Sequence, residues 1–144
     1  RDTDGKVDFF VSAVGTGGTI TGVGEVLKER NPAVKIVAVE PAESSVLLGG
    51  PAGPHKIEGV GIGYRPPLWE PSLVDEVLAV TTEEAKEMTR RLAREEALFA
   101  GTSTGANVVA SLRVAARLGS GAKVATLACD SGLKYLSTDV YRRA

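Results

Sequence analysis

The strongest constraint on the fold of this chain sits near its start. Val7-Asp8-Phe9-Phe10-Val11-Ser12-Ala13-Val14 is an apolar run of strand length, Gly15-Thr16-Gly17-Gly18 follows at once, and Thr19 opens a helical pattern that reaches Arg30. A buried strand, a glycine turn and a helix start in that order make one half of a βαβ unit, and such units set their strands parallel in a single sheet. The same turn is a cradle for an anion. Glycines let the backbone come close to a ligand, the first helical N–H groups point at it, and the hydroxyls of Thr16 and Thr19 add donors. The sequence therefore predicts an α/β domain with a phosphate site after its first strand.

The remaining chain continues the alternation. Ile20, Val23 and Leu27, with Val26, form the apolar face of the first helix, and Asn31-Pro32 ends it. Lys35–Glu40 reads as a second strand and Glu76–Val80 as a third. Between them, Pro41–Pro71 holds six of the seven prolines and has little periodicity, which predicts a functional loop rather than a connector. Thr81-Thr82-Glu83-Glu84 has capping-box spacing, with Thr81 as N-cap of a helix that runs to about Glu96. Ala85, Met88 and Leu92 would be its apolar stripe, with Glu87–Arg91 an ion pair on the wet side. After Leu98-Phe99-Ala100 comes a second small-residue turn, Gly101–Gly105. A helix from Ala106 to Leu118 follows, with Val108, Leu112 and Ala115 on one stripe, and then a fourth strand at Lys123–Ala128.

Composition excludes several classes. The net charge is −1, and no basic block interleaves with aromatics, so nucleic acid is not an expected partner. No apolar run has membrane-spanning length. The one cysteine, Cys129, cannot form an internal disulfide, which fits a reducing, cytoplasmic setting, and reads as a small core or near-core residue. No second cysteine or histidine cluster offers a metal site. The chain starts at Arg1 and enters its first strand within a few residues, which suggests that an upstream part is missing.

A dinucleotide fits the opening turn only in part. A dinucleotide fingerprint needs a third glycine where Ile20 stands, although Glu40 could imitate the ribose-binding acid. A Walker loop is excluded, because no Gly-Lys-Ser/Thr follows.

Four segments in order carry a more specific message. Gly15-Thr16-Gly17-Gly18-Thr19-Ile20-Thr21-Gly22 resembles the phosphate loop of the cysteine synthase (O-acetylserine sulfhydrylase) and cystathionine β-synthase family, which are fold-type II pyridoxal 5′-phosphate enzymes. Gly53–Gly61 is similar to that family's substrate-side loop, Leu98–Ala106 to its pyridine-side turn, and Asp130–Thr138 to its C-terminal signature. The resemblance implies a three-layer αβα architecture with a mainly parallel sheet. Residues 1–144 would form a single cofactor-binding domain, the C-terminal portion of a longer enzyme whose N-terminal part is missing. It implies that Gly15, Thr16, Gly17, Gly18 and Thr19 hold the cofactor phosphate, and that Ser103 hydrogen-bonds the pyridine nitrogen. Gly59, Val60, Gly61 and Phe99 would lie on the substrate side.

A neutral hydroxyl at Ser103 makes a weaker electron sink than an aspartate would, which suits elimination of a β-substituent. The plain structural alternative is that Ser103 caps the following helix. His55, the only histidine, belongs to a loop in the family rather than to the acid–base chemistry. The seven lysines, Lys6, Lys28, Lys35, Lys56, Lys86, Lys123 and Lys134, all stand outside the setting of the family's Schiff-base lysine, which lies upstream. The chain alone is then expected to be inactive, with no catalytic residue of its own. The complete protein would convert O-acetyl-L-serine and sulfide to L-cysteine and acetate, as a homodimer acting on a small amino-acid substrate. The alternatives are cystathionine β-synthase activity, a Rossmann-type nucleotide-binding module, or a non-catalytic scaffold piece.

Overall fold

The computed structural model describes residues 3–142. Four strands, β1 (Phe9–Ala13), β2 (Lys35–Pro41), β3 (Glu76–Val80) and β4 (Val124–Ala125), form one sheet in the order β3-β2-β1-β4, and every pairing is parallel. Helices α1 (Gly18–Arg30), α2 (Thr82–Glu95) and α3 (Thr102–Leu118) cover it. Side chains alternate across the sheet, so each strand feeds two cores. Val11, Val37 and Val39 pack with Ala106, Ala110 and Val114 of α3 and Ala85 of α2. Phe10, Ile36 and Ala38 pack on the opposite side with Ile20 of α1. Burial on both faces explains why the strands read as continuous apolar runs instead of alternating ones. The α/β architecture inferred from sequence is the one observed.

The local predictions hold where short-range chemistry decides them. Thr81 accepts from Glu84 N, and Glu84 accepts from Thr81 N at 2.9 Å, a reciprocal capping box. Asn31 closes α1 and Gly119, at φ 76°, closes α3.

Four details differ. First, α3 starts at Thr102, so the small-residue turn is the first turn of the helix. Its buried side carries Ser103, Ala106, Asn107, Ala110 and Val114, while Leu112 is 52% exposed. The larger apolar side chains drew the stripe the wrong way, because the close approach of α2 admits only small residues: a Cβ on Gly105 would collide with Ala85 O and Thr89 Oγ1. Second, Val26 points outward, and the position facing β2 is taken by Gly24, packed on Ile36. Third, Glu87 pairs with Arg90 and Arg94, whereas Arg91 turns down the helix to Glu95. Fourth, β4 has only two residues in the ladder, because from Thr126 onward side chains take over its attachment.

The long loop has no helix beyond two 3-10 turns, Ala42–Ser44 and Pro71–Leu73. It folds back on the glycine turn. Gly61 N donates to Val14 O at 3.0 Å, and Thr21 Oγ1 donates to Leu68 O at 2.7 Å. Ile57, 1% exposed, anchors its middle in the α2/α3 core.

Candidate cofactor site

In the sheet order, the chain reverses direction at β1: β2 and β3 lie to one side, β4 to the other. Parallel sheets bind ligands at such a point, beyond the carboxyl ends of the strands. A cleft of about 320 Å³ opens there. It is lined by Gly15, Thr16, Gly17 and Thr19 of the glycine turn, by Glu58, Gly59 and Val60 of the long loop, by Ser103 of α3, and by Leu127, Cys129, Asp130 and Lys134.

The turn is built for close approach. Gly17 is the N-cap of α1 at φ 86°, a left-handed conformation in which a side chain is strained, and a Cβ there would stand 2.9 Å from Trp69 N. A Cβ on Gly15 would strike the carbonyl oxygen of Gly59. Thr16 Oγ1 accepts weakly from Gly18 N at 3.4 Å, which leaves its hydroxyl proton for a ligand. Thr21 N is satisfied by Gly17 O, so the N–H groups of Gly18, Thr19 and Ile20 are the ones that open the helix without an intrahelical partner. No acidic residue lies in the first turn of α1, so nothing there opposes an anion.

Ser103 lies at the second position of α3, behind the N-cap Gly101, and so is not a cap. It is 5% exposed and faces the cleft, and among the described residues its hydroxyl has no hydrogen-bond partner. The residue is buried but borders the cleft, so a ligand atom there is within its reach as a hydrogen-bond partner.

Gly59, at φ 80°, and Val60 reach the cleft. Gly61 lies behind them against Pro41 and the His55 ring, and its amide ties the loop to Val14. His55 Nδ1 accepts from Ile57 N at 3.2 Å, so Nε2 carries the proton and donates to Gly61 O at 2.9 Å. The histidine shapes the 55–61 turn.

Phe99 is not brought to the cleft. Its ring packs on Tyr141, centroids 4.7 Å apart, and against Gly132, held there by Gly132 N donating to Phe99 O and by the bridge between Ala100 and Ser131. Cys129, expected in or near the core, is exposed along the cleft, because residues beyond Ala125 leave the sheet and run beside it.

Sequence reading gave no site role to Asp130 and Lys134, although both stand in the quoted C-terminal segment. Asp130 Oδ2 accepts from Tyr135 OH at 2.9 Å, and Lys134 Nζ lies 3.4 Å away. Burial and the Asp130 carboxylate push the Tyr135 phenol well above its ordinary value, so it stays a donor. Asp130 Oδ1 is buried without a partner.

The dinucleotide alternative loses its acidic residue. Glu40 is 2% exposed, and both its oxygens are taken, by Leu47 N at 2.8 Å and Leu48 N at 3.0 Å. Burial raises its pKa despite those bonds, and the carboxylate braces the loop instead of waiting for a ribose.

Residues 1–130 match the family described as pyridoxal-phosphate dependent enzymes. The chain belongs to that family. As a pyridoxal-phosphate dependent enzyme chain it is 45% identical over 139 residues to cysteine synthase of Staphylococcus aureus, covering 96% of this chain and 45% of that protein. It superposes on O-acetyl serine sulfhydrylase isoform 3 of Entamoeba histolytica with TM-score 0.97 and 44% identity, covering 99% of this chain and 43% of that one. An O-acetylserine dependent cystathionine beta-synthase of Helicobacter pylori gives TM-score 0.91 and 39% identity over 98% of this chain and 46% of that one. This pyridoxal-phosphate dependent enzyme chain thus spans a little under half the length of the relatives it matches. The expected cofactor agrees with the cleft: the glycine turn opens the N-terminus of α1 there with no acidic residue in its first turn, and Ser103, whose hydroxyl has no partner among the described residues, lines the same cleft.

Proposed function

We propose that this chain supplies the phosphate and pyridine contacts of a cysteine synthase-like β-replacement enzyme, which in the full-length protein converts O-acetyl-L-serine and sulfide to L-cysteine and acetate. The observation that carries the reading is that Gly15, Thr16, Gly17 and Thr19 line one cleft at the switch point of the sheet with Ser103, whose hydroxyl has no partner among the described residues. Bound there, pyridoxal phosphate supplies the electron sink for loss of a β-substituent. The residues of this chain place it. The N–H groups of Gly18, Thr19 and Ile20 and the hydroxyls of Thr16 and Thr19 hold the phosphate, with the α1 dipole behind them. Ser103 hydrogen-bonds the ring nitrogen and leaves it uncharged. Gly59 and Val60 present backbone to the substrate, where a larger side chain would block it.

Lys134 is the lysine that reaches the cleft, and it is engaged with Asp130 at 3.4 Å and Glu58 at 3.9 Å. By the resemblance alone, the lysine that anchors the cofactor covalently is assigned to a segment outside these 144 residues, and homodimeric assembly belongs to the same reading. No helix among the described residues is long and apolar enough to cross a membrane.

A second reading is cystathionine β-synthase activity, with homocysteine as the nucleophile; the Helicobacter pylori relative is described as an O-acetylserine dependent cystathionine beta-synthase. The test is to purify the full-length protein, record its visible spectrum, and supply O-acetyl-L-serine with sulfide or with homocysteine. A yellow protein that forms cysteine supports the first reading, and preference for homocysteine replaces it with the second. A colourless protein that takes up no added pyridoxal phosphate refutes both.

A further inference from the structure

The wall of the cleft formed by residues 127–129 has no backbone ladder to hold it, because the pairing of β4 with β1 ends at Ala125. Side chains hold it instead. Thr126 Oγ1 donates to Val11 O at 2.7 Å, and Cys129 N donates to Thr104 Oγ1 at 2.9 Å. The third attachment is Asn107. Its Nδ2 donates to Leu127 O at 3.1 Å and to Cys129 Sγ at 3.4 Å, while its Oδ1 accepts from Ala13 N at 2.7 Å.

Asn107 is fully buried and lies one helical turn after Ser103 on the same side of α3. A single amide therefore joins three parts of the site. Ala13 is the last residue of β1, two positions before the glycine turn. Leu127 and Cys129 are the opposite wall. The third part is the first turn of α3, where Ser103 lines the cleft. An apolar residue here would fill the same space, but it would take away the partners of Ala13 N and Leu127 O, and it would fix no direction.

We infer that Asn107 is a positioning residue: it sets the spacing between the phosphate turn and the Ser103 wall, so that the cleft favours a phosphate and a pyridine ring joined in one molecule over either part alone. This rests on the functional reading above. Anchors that fix two subsites relative to each other affect the linked ligand far more than its separate halves, because only the linked ligand must meet both at once.

The test uses the full-length protein freed of cofactor, with Asn107→Ala and with Asn107→Ser, which removes the amide while keeping an uncharged polar side chain. Each is titrated with pyridoxal 5′-phosphate, pyridoxal and inorganic phosphate. The expected result is a loss of about tenfold or more for pyridoxal 5′-phosphate in Asn107→Ala, with the two fragments changed by less than about twofold. A uniform loss for all three ligands, or no loss for any, overturns the inference. Should Asn107→Ala not fold, the same two patterns decide the matter in Asn107→Ser. If the unsubstituted protein binds no pyridoxal 5′-phosphate, the functional reading falls and this inference with it; binding without the selective loss removes the inference alone.

Discussion

Gly15 and Ser103 fail in opposite ways when changed, and the contrast separates shape from chemistry. A methyl group on Gly15 has nowhere to go, since the Gly59 carbonyl it would strike is backbone, pinned through Gly61 N to Val14 O. Gly15→Ala is expected to cost about 1–3 kcal/mol of stability, as overpacking does, and to weaken cofactor binding at the same time. Denaturant unfolding and a pyridoxal phosphate titration of one preparation check both. Ser103→Ala removes a hydroxyl that no described protein group uses, so stability should stay within about 0.5 kcal/mol. The visible spectrum of the bound cofactor should shift, because the ring nitrogen loses its donor; an unchanged spectrum would detach Ser103 from the ring. At this scale the glycine turn was legible because left-handed backbone and close approach leave glycine as the residue that fits. Phe99 and Cys129 were not, because each side chain is turned by a partner far away in sequence or by the end of a strand, which composition and spacing do not record.

Elements are set by a mixture of local and distant forces, and the boundaries show which force acted. The start of α2 was readable to the residue because a capping box is contained in four positions. Thr81→Ala is expected to lower stability by about 0.5–2 kcal/mol, because Glu84 N loses its acceptor while the Thr81 N bond to the Glu84 carboxylate remains, measured as a shift of the urea midpoint at unchanged slope. The buried side of α3 was misread because its face is chosen by the nearness of α2, not by the size of its own apolar residues. Asp75 shows a staple between elements. It enters β3, accepts from Ile36 N at 2.8 Å, and binds Lys28 of α1 at 2.8 Å and Lys35 of β2 at 3.0 Å. Burial alone would raise its pKa, but the Lys28, Ile36 and Lys35 contacts outweigh burial and hold it below the ordinary carboxylate value. The folded state therefore binds this proton less readily than the unfolded chain. The stability so gained is complete above about pH 4 and disappears as pH falls through the lowered folded value. Thermal unfolding followed from pH 6 to pH 2 should show a shallower loss in Asp75→Asn than in the parent.

On the scale of the whole molecule, the site belongs to the sheet order and not to any one element. The turn after β1 supplies one wall, α3 another, and residues 127–129 the third, so a ligand that touches all three must stabilise the fold against unfolding. At about a hundredfold excess over its dissociation constant, pyridoxal phosphate should add about 2.7 kcal/mol to the full-length protein, seen as a rise in Tm. Inorganic phosphate, touching the turn alone, should add less. Parallel pairing was legible from the alternation of runs, and the three-layer architecture from the family resemblance, but which strand lies beside which was not. The neighbour of β1 on its far side is the last strand of the chain, and no local signal encodes that choice.

That pairing has a kinetic consequence. Thr126 meets Val11, and Lys123 meets Asp8, across 115 residues of intervening chain in each case. Contacts closing so long a loop form slowly and late, after β1, β2 and β3 have found one another through shorter loops. The phosphate turn would then exist early, while the cleft around it is completed only when the C-terminal stretch arrives. Refolding followed by the gain of cofactor absorbance should lag behind the gain of helical signal, with the ligand acting as a latch on the last step of assembly.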